Sequence, residues 1–250
     1  MARTRNNRRR RRGRFTFLLK LFAILVTMAA IVWAAAFFFR MDHIVVSGNE
    51  RYSEQEVIEA SGLQIGENLY FFNKYDVKEE IFARLPYVEE VKINRKLPDA
   101  LLIEVRECVA AASVRSESAV WLISEQGKLL EEIAVPPEGC PTVNGALLID
   151  PVATQPVDFG SEAAYRGAVV LTLLQESGAR NMRESIGEID MSDDTSLSFT
   201  YLERFTVSMP WTADVSYKLE SLMTVVDYLE NNETGRIDLM TEGKASFIPE

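Results

Sequence analysis

The stretch LFAILVTMAAIVWAAAFFF, residues 21–39, runs nineteen residues without a charge. At about 1.5 Å of rise per residue, a helix of that length covers roughly 28 Å, close to the ~30 Å hydrocarbon core of a bilayer. A helix packed inside a globular domain is seldom apolar on every face over such a distance. Phe15, Phe17 and Leu18 lengthen the stretch, and Lys20 can carry its ammonium to the headgroups on its aliphatic stem. The sequence therefore predicts one transmembrane helix over residues 15–40. A cleaved export signal is the rival reading, with an apolar core of about 7–15 residues ending in small side chains. Here Ala34 to Ala36 are followed at once by Phe37, Phe38, Phe39 and Arg40.

Charge is distributed as such a span requires. The first forty residues hold ten of the 27 basic side chains and none of the 37 acids, which leaves 17 against 37 in the rest. Cationic residues beside a span stay in the cytoplasm. Arg8, Arg9, Arg10, Arg11, Arg12 and Arg14 are thus expected to fix residues 1–14 as a cytoplasmic tail, anionic lipid adding about 1 kcal/mol per basic residue. As a nucleic-acid-binding arm the tail has no aromatic stacking partner before Phe15, and no nucleic-acid partner is expected. The acidic remainder lies outside the cytoplasm and is expected to stand off anionic headgroups. Cys108 and Cys140 are too few for a disulfide framework, and whether they bridge or stay as small buried hydrophobes is open.

Beyond the span, Ile44 to Val46 is a β-branched run closed by Ser47-Gly48-Asn49, a strand and turn. Ser53 and Glu56 carry the spacing of a capping box, opening a short helix that Gly62 ends. A second helix is expected to be capped by Asp76, to place Val77, Ile81 and Leu85 on one face, and to stop at Pro86. The intervening GENLYFFN reads as a loop whose bulky residues anchor the core. VEEVKINR and ALLIEVRE alternate as strands about the KLPD turn. The order from 43 to 107 is β-α-α-β-β.

This order, with VSGNERYSEQEVIEASGLQIGENLYFF, LPYVEEVKINRKLPDALLIEVRE and one upstream membrane helix, resembles a POTRA module. In particular it resembles that of the FtsQ/DivIB family of bacterial cell-division proteins. The rest keeps to the likeness: strands in AAASVRS and AVWLISEQGKLLEEI; PTVNG; a helix SEAAYRGAVVLTLLQESG capped by Ser161; strands SIGEID, SLSFTYL and RFTVSM. An amphipathic helix DVSYKLESLMTVVDYLEN, with Leu219, Leu222, Val226 and Leu229 inward, is expected to end near Gly235, before strands RIDLM and KASFIP. The Lys218-Leu219 pair and the Ile237-Asp238-Leu239 step resemble the family's pattern there. The resemblance implies an α+β chain: a single membrane helix, a POTRA domain over 41–107, and a mixed β-sheet domain with flanking helices over 108–250.

Catalysis is not expected. The one histidine, His43, stands about four residues beyond the span, and no glycine-rich phosphate loop is present. Cys108, Cys140 and His43 lack zinc spacing. Asp193-Asp194 and Glu131-Glu132 have no calcium-loop context, and among 37 acids chance pairs are expected. Neither cofactor nor metal is predicted. Binding remains, and the physical route is addition of a partner strand to a sheet edge. By resemblance, Lys244, Ala245, Ser246, Phe247 and Ile248 would be the docking edge, with Phe247 as an anchor. The partners so implied are FtsB/DivIC and FtsL-like bitopic coiled-coil proteins. The plainer alternative is a terminal strand blunted by Lys244 and Pro249. Tyr70, Phe71 and Phe72 are expected in the core, with a contact surface toward other divisome membrane proteins as the alternative. A POTRA-bearing chaperone of a secretion or outer-membrane assembly system is the other functional reading. It would predict further POTRA repeats or a β-barrel.

Overall fold

A computed structural model of the chain describes residues 9–116, 119–145 and 147–249, leaving aside the side chains of 9–15, Ala35 and Ala36. Arg8 lies outside the described residues, as do the side chains of Arg9 to Arg12 and Arg14, whose backbone is helical. Helix α1 runs Arg9–Phe38, and within it Thr16–Ala34 has a mean hydropathy of 2.3 and no buried residue. It is the one helix among the described residues long and apolar enough to cross a membrane. The chain forms two units: Met1–Ile81 with Glu90–Arg106, and Phe82–Glu89 with Glu107–Glu250.

In the first unit β1 (His43–Ser47) lies parallel to β3 (Ala100–Glu107), and β3 neighbours β2 (Val88–Lys96). The inward alternation read from the sequence is present: Val91 and Ile93 on β2, and Leu101, Ile103 and Val105 on β3, are buried. Helix α2 (Glu54–Ser61) opens on the expected capping box, with Ser53 accepting from the Glu56 N–H and Glu56 accepting from the Ser53 N–H at 2.8 Å. Gly48 turns the chain at φ +79°, and a Cβ there would stand 2.2 Å from the Val105 carbonyl oxygen, so only glycine lets β1 end against β3.

Two expectations for this unit are corrected. Helix α3 (Lys74–Arg84) begins before Asp76. Asn73 serves its first turn instead, accepting from the Tyr75 N–H at 3.0 Å and donating to Asp76 at 2.7 Å. Asp76 is left in the first turn, where a carboxylate complements the helix dipole. In the GENLYFFN loop only Leu69 is buried, while Tyr70 and Phe71 are exposed. The loop is tied down through its backbone and needs no further aromatic in the core: the Leu69 N–H donates to the Phe39 carbonyl at 2.9 Å.

The second unit is built on one mixed sheet. Its strands are β4 (Ala112–Arg115), β5 (Val120–Ile123), β6 (Leu129–Ile133), β7 (Thr142–Asn144), β8 (Ile186–Asp190), β9 (Ser196–Tyr201), β10 (Phe205–Pro210), β11 (Gly235–Asp238) and β12 (Ser246–Pro249). Their order across the sheet is β12-β11-β10-β9-β8-β7-β4-β5-β6. Parallel neighbours need crossovers; β5 and β6 lie between β4 and β7, and helices provide the other two. Helix α4 (Gly160–Ala179) lies between β7 and β8, and α5 (Val215–Asp227) between β10 and β11. On β9, Leu197, Phe199 and Tyr201 are buried and their neighbours are not, so one face of the strand enters the core. Val170, Leu173 and Leu174 of α4 and Leu219 and Leu222 of α5 join the same cluster. Each such side chain contributes roughly 1.5–3 kcal/mol on leaving water.

Here too the helix ends differ from expectation. Ser161 does not cap α4; the N-cap position is Phe159, and just before it the Asp158 carboxylate accepts from the Gly160 N–H at 2.8 Å. Helix α5 stops at Asp227, well before Gly235, as Tyr228 and Leu229 donate to carbonyls only three residues back.

The capping box yields a pH-dependent expectation. Its hydrogen bonds from Ser53, side chain first and then backbone, hold the Glu56 carboxyl below the usual carboxylate range. A lowered folded-state value means stability present above the unfolded value and lost as pH falls through the folded one. Ser53→Ala should cost about 1 kcal/mol in urea unfolding at neutral pH. It should also move the Glu56 titration, followed by NMR, upward; an unmoved titration would contradict the pairing.

Candidate functional site

The sheet has two edges, and they differ. On β6 the outer side is sealed at its start: the Leu129 N–H donates to Gln155 and the Thr154 N–H to Leu129, both at 2.8 Å. Beyond that point Glu131 and Glu132 blunt it. On the other edge, among the described residues, β12 is bonded to β11 alone.

The polarity of that free edge follows from the neighbouring strand. The Gly235 N–H donates to the Arg204 carbonyl and the Leu239 N–H to that of Ser208, so alternate peptide groups of β11 face β10. Arg236 and Asp238 therefore face β12, where they stand opposite Ile248 and Ser246. Ser246 and Ile248 spend their peptide groups on β11, and the N–H and C=O of Phe247 point to the open side. Pro249 offers no N–H there.

Side chains follow the opposite logic. Phe247 turns its ring toward Phe205, edge-on at 6.0 Å, so its half-buried side chain packs against the core and its main chain faces the open edge. Ile248 is 52% exposed on the other face. Lys244 and Ala245 precede the strand, Lys244 in a turn closed onto Thr241.

Two residues that the sequence offers only as a helix end and as part of the family pattern, Gly235 and Lys218, hold this edge in place. Gly235 has φ +152°, and a Cβ on it would lie 2.2 Å from the Ile248 carbonyl oxygen. Lys218, 5% exposed within the apolar stripe of α5, donates through Nζ to the Leu239 and Thr241 carbonyls at 2.6 and 2.9 Å. A buried ammonium so bonded fixes the β11–β12 connection to the helix. The sequence signal existed, a lysine between apolar positions and a glycine opening a strand, but neither motif specifies its partner.

The acidic candidates Asp193, Asp194 and Glu131 have structural partners. Asp193 accepts from the Thr195 N–H and hydroxyl, both at 2.7 Å, which hold its carboxyl below the usual range. Asp194 pairs with Arg166 at 2.6 Å, and Glu131 accepts from the Tyr87 hydroxyl. His43 is exposed at the start of β1. Cys108 and Cys140 are free thiols, half-buried; burial first, then Glu89, pushes Cys108 up, and burial alone pushes Cys140 up, so both favour the unreactive protonated form.

A β-α-α-β-β unit following an apolar helix long enough to span a membrane, ahead of a mixed sheet, is the arrangement of a POTRA-bearing chain with a membrane anchor. Residues 39–107 match the family described as POTRA domain, FtsQ-type. The chain is 31% identical over 173 residues to the cell division protein FtsQ of Corynebacterium glutamicum, covering 68% of this chain and 72% of that one. With the cell division protein DivIB of Clostridium acetobutylicum it shares 27% over 215 residues, 84% of this chain and 83% of that protein. With the DivIB of Clostridium botulinum it shares 30% over 124 residues, half of this chain and 48% of the relative, so it spans about half the length of that one. The chain belongs to the FtsQ/DivIB family of bacterial cell-division proteins, and it carries a helix able to anchor it in a membrane.

Gly235→Ala tests the joint. The strained φ and the clash should cost roughly 1–3 kcal/mol locally. The Ser246 and Ile248 amides should then lose protection from hydrogen exchange, while those of β9 keep theirs. Unchanged protection at both would show that β12 does not need the close approach.

Proposed function

We propose that this chain is a non-catalytic, bitopic scaffold of the divisome. Residues 1–14 would be held in the cytoplasm by their arginines, 15–40 would span the membrane, and the POTRA domain (41–107) and the β domain (108–250) would work outside. In this reading a partner's extended segment, from FtsB/DivIC with FtsL, adds as a further strand to β12. Septal wall synthesis is regulated through that assembly, at the division site. The observation that carries the reading is the open Phe247 peptide edge, in a chain whose relatives are named cell division proteins. Main-chain pairing of this kind draws affinity from the ladder and specificity from the side chains that flank it.

Ile248 flanks the edge without serving the core, so it is the position to alter. Ile248→Asp should weaken capture of the FtsB/DivIC–FtsL pair by about tenfold or more, the ~1.4 kcal/mol of one good contact. The fold should be unchanged by circular dichroism. A fluorescent fusion of the unaltered chain should gather at midcell. Undiminished capture by the variant would remove the β12 edge from the account, and uniform envelope fluorescence in dividing cells would remove the divisome role.

A further inference from the structure

We infer that the loop of residues 65–75 rests in the interfacial layer of the bilayer's outer leaflet, its exposed aromatics among the lipid headgroups. The inference rests on α1 spanning the membrane and adds a second, lateral contact with the same lipid.

The loop is fastened at the mouth of the membrane helix. The Met41 N–H donates to Glu67 at 2.7 Å, the Gly66 N–H to Met41 at 2.8 Å and the Leu69 N–H to Phe39 at 2.9 Å. Arg40 and Asn68 bridge between these bonds, and Phe39 meets Tyr70 edge-on at 5.4 Å. From Thr16 to Phe38 the helix rises about 33 Å, slightly more than a ~30 Å hydrocarbon core. Its last turn therefore reaches the headgroups, and residues bonded sideways to Phe39 and Met41 share that depth.

What the loop displays there is unlike the rest of the acidic ectodomain. Tyr70 is 50% exposed, Phe71 and Tyr75 79% each, and Ile65 70%, with Glu67 the one acid in the segment. Their exposure is built in. The Arg95 guanidinium sits over Tyr70 at 5.1 Å and Phe72 at 5.2 Å, and its Nε donates to the Leu69 carbonyl. With the rings on either side gathered onto Arg95, Phe71 is turned away from the protein. Amphipathic aromatics at headgroup depth are the chemistry of the membrane interface. The two guanidiniums, Arg40 and Arg95, stand beside them as phosphate partners. The expectation that the acidic part stands off the lipid thus has a local exception where the chain leaves the span.

Phe71→Trp in the full chain, reconstituted into phosphatidylcholine vesicles carrying spin-labelled lipid, tests this directly. With Trp121 and Trp211 replaced by phenylalanine in both chains compared, quenching of Trp33 by labels along the acyl chain reports the span. The added tryptophan should emit to the blue of its water-exposed value and be quenched most by labels close to the headgroup. Quenched Trp33 with an unquenched, water-like signal from position 71 would overturn the inference and leave the span intact, the aromatics then being free for a protein. An unquenched Trp33 would overturn both.

Discussion

Strand β12 joins the sheet through one neighbour, and that joint closes only because residue 235 has no side chain. A single Cβ would occupy the space of the Ile248 carbonyl oxygen. The approach sets the register of β12, and the register decides which peptide groups bond inward and which remain open. Lys218 secures the same connection from the helix side by bonding two carbonyls from within an apolar stripe. A buried cation serving main-chain oxygens is costly to place and hard to replace, since each carbonyl it abandoned would lie unsatisfied. The polarity of the open edge follows from this corner.

The opposite edge shows how the sheet manages exposure elsewhere. There, residues 154–157 fold back on β6 and acidic side chains complete the protection. An open side on β12, where the same chain has the means to close one, is what a partner strand would require. The two proposed contacts also divide by chemistry: main-chain hydrogen bonds at β12, aromatic rings and guanidiniums at the loop beside α1.

Much of the fold was legible because its signals are periodic. The uncharged run, the alternation in β2, β3 and β9, and the stripe of α5 each repeat often enough to stand clear of noise. The capping box of α2 was legible because both partners are local. Other caps were misplaced because several residues compete: Asn73 against Asp76, Asp158 against Ser161. The aromatic loop was misjudged because composition favours burial, whereas a long-range cation, Arg95, gathers two of its rings. The contact of Phe247 with Phe205 was not legible, since no sequence pattern announces which side of a short strand meets a core. Which sheet edge stays open depends on strand order, and that is set by crossovers that local sequence does not encode.

The central claim is that the Phe247 peptide group is unpaired in the chain alone and becomes paired with a partner's strand. Residue-resolved hydrogen exchange of the full chain in lipid, with and without the FtsB/DivIC–FtsL pair, measures this most directly. The account predicts a fast-exchanging Phe247 amide beside slower Ser246 and Ile248 amides, and slowing of Phe247 by the partner. A Phe247 amide already protected in isolation, or one left unchanged when the partner is bound, would contradict it.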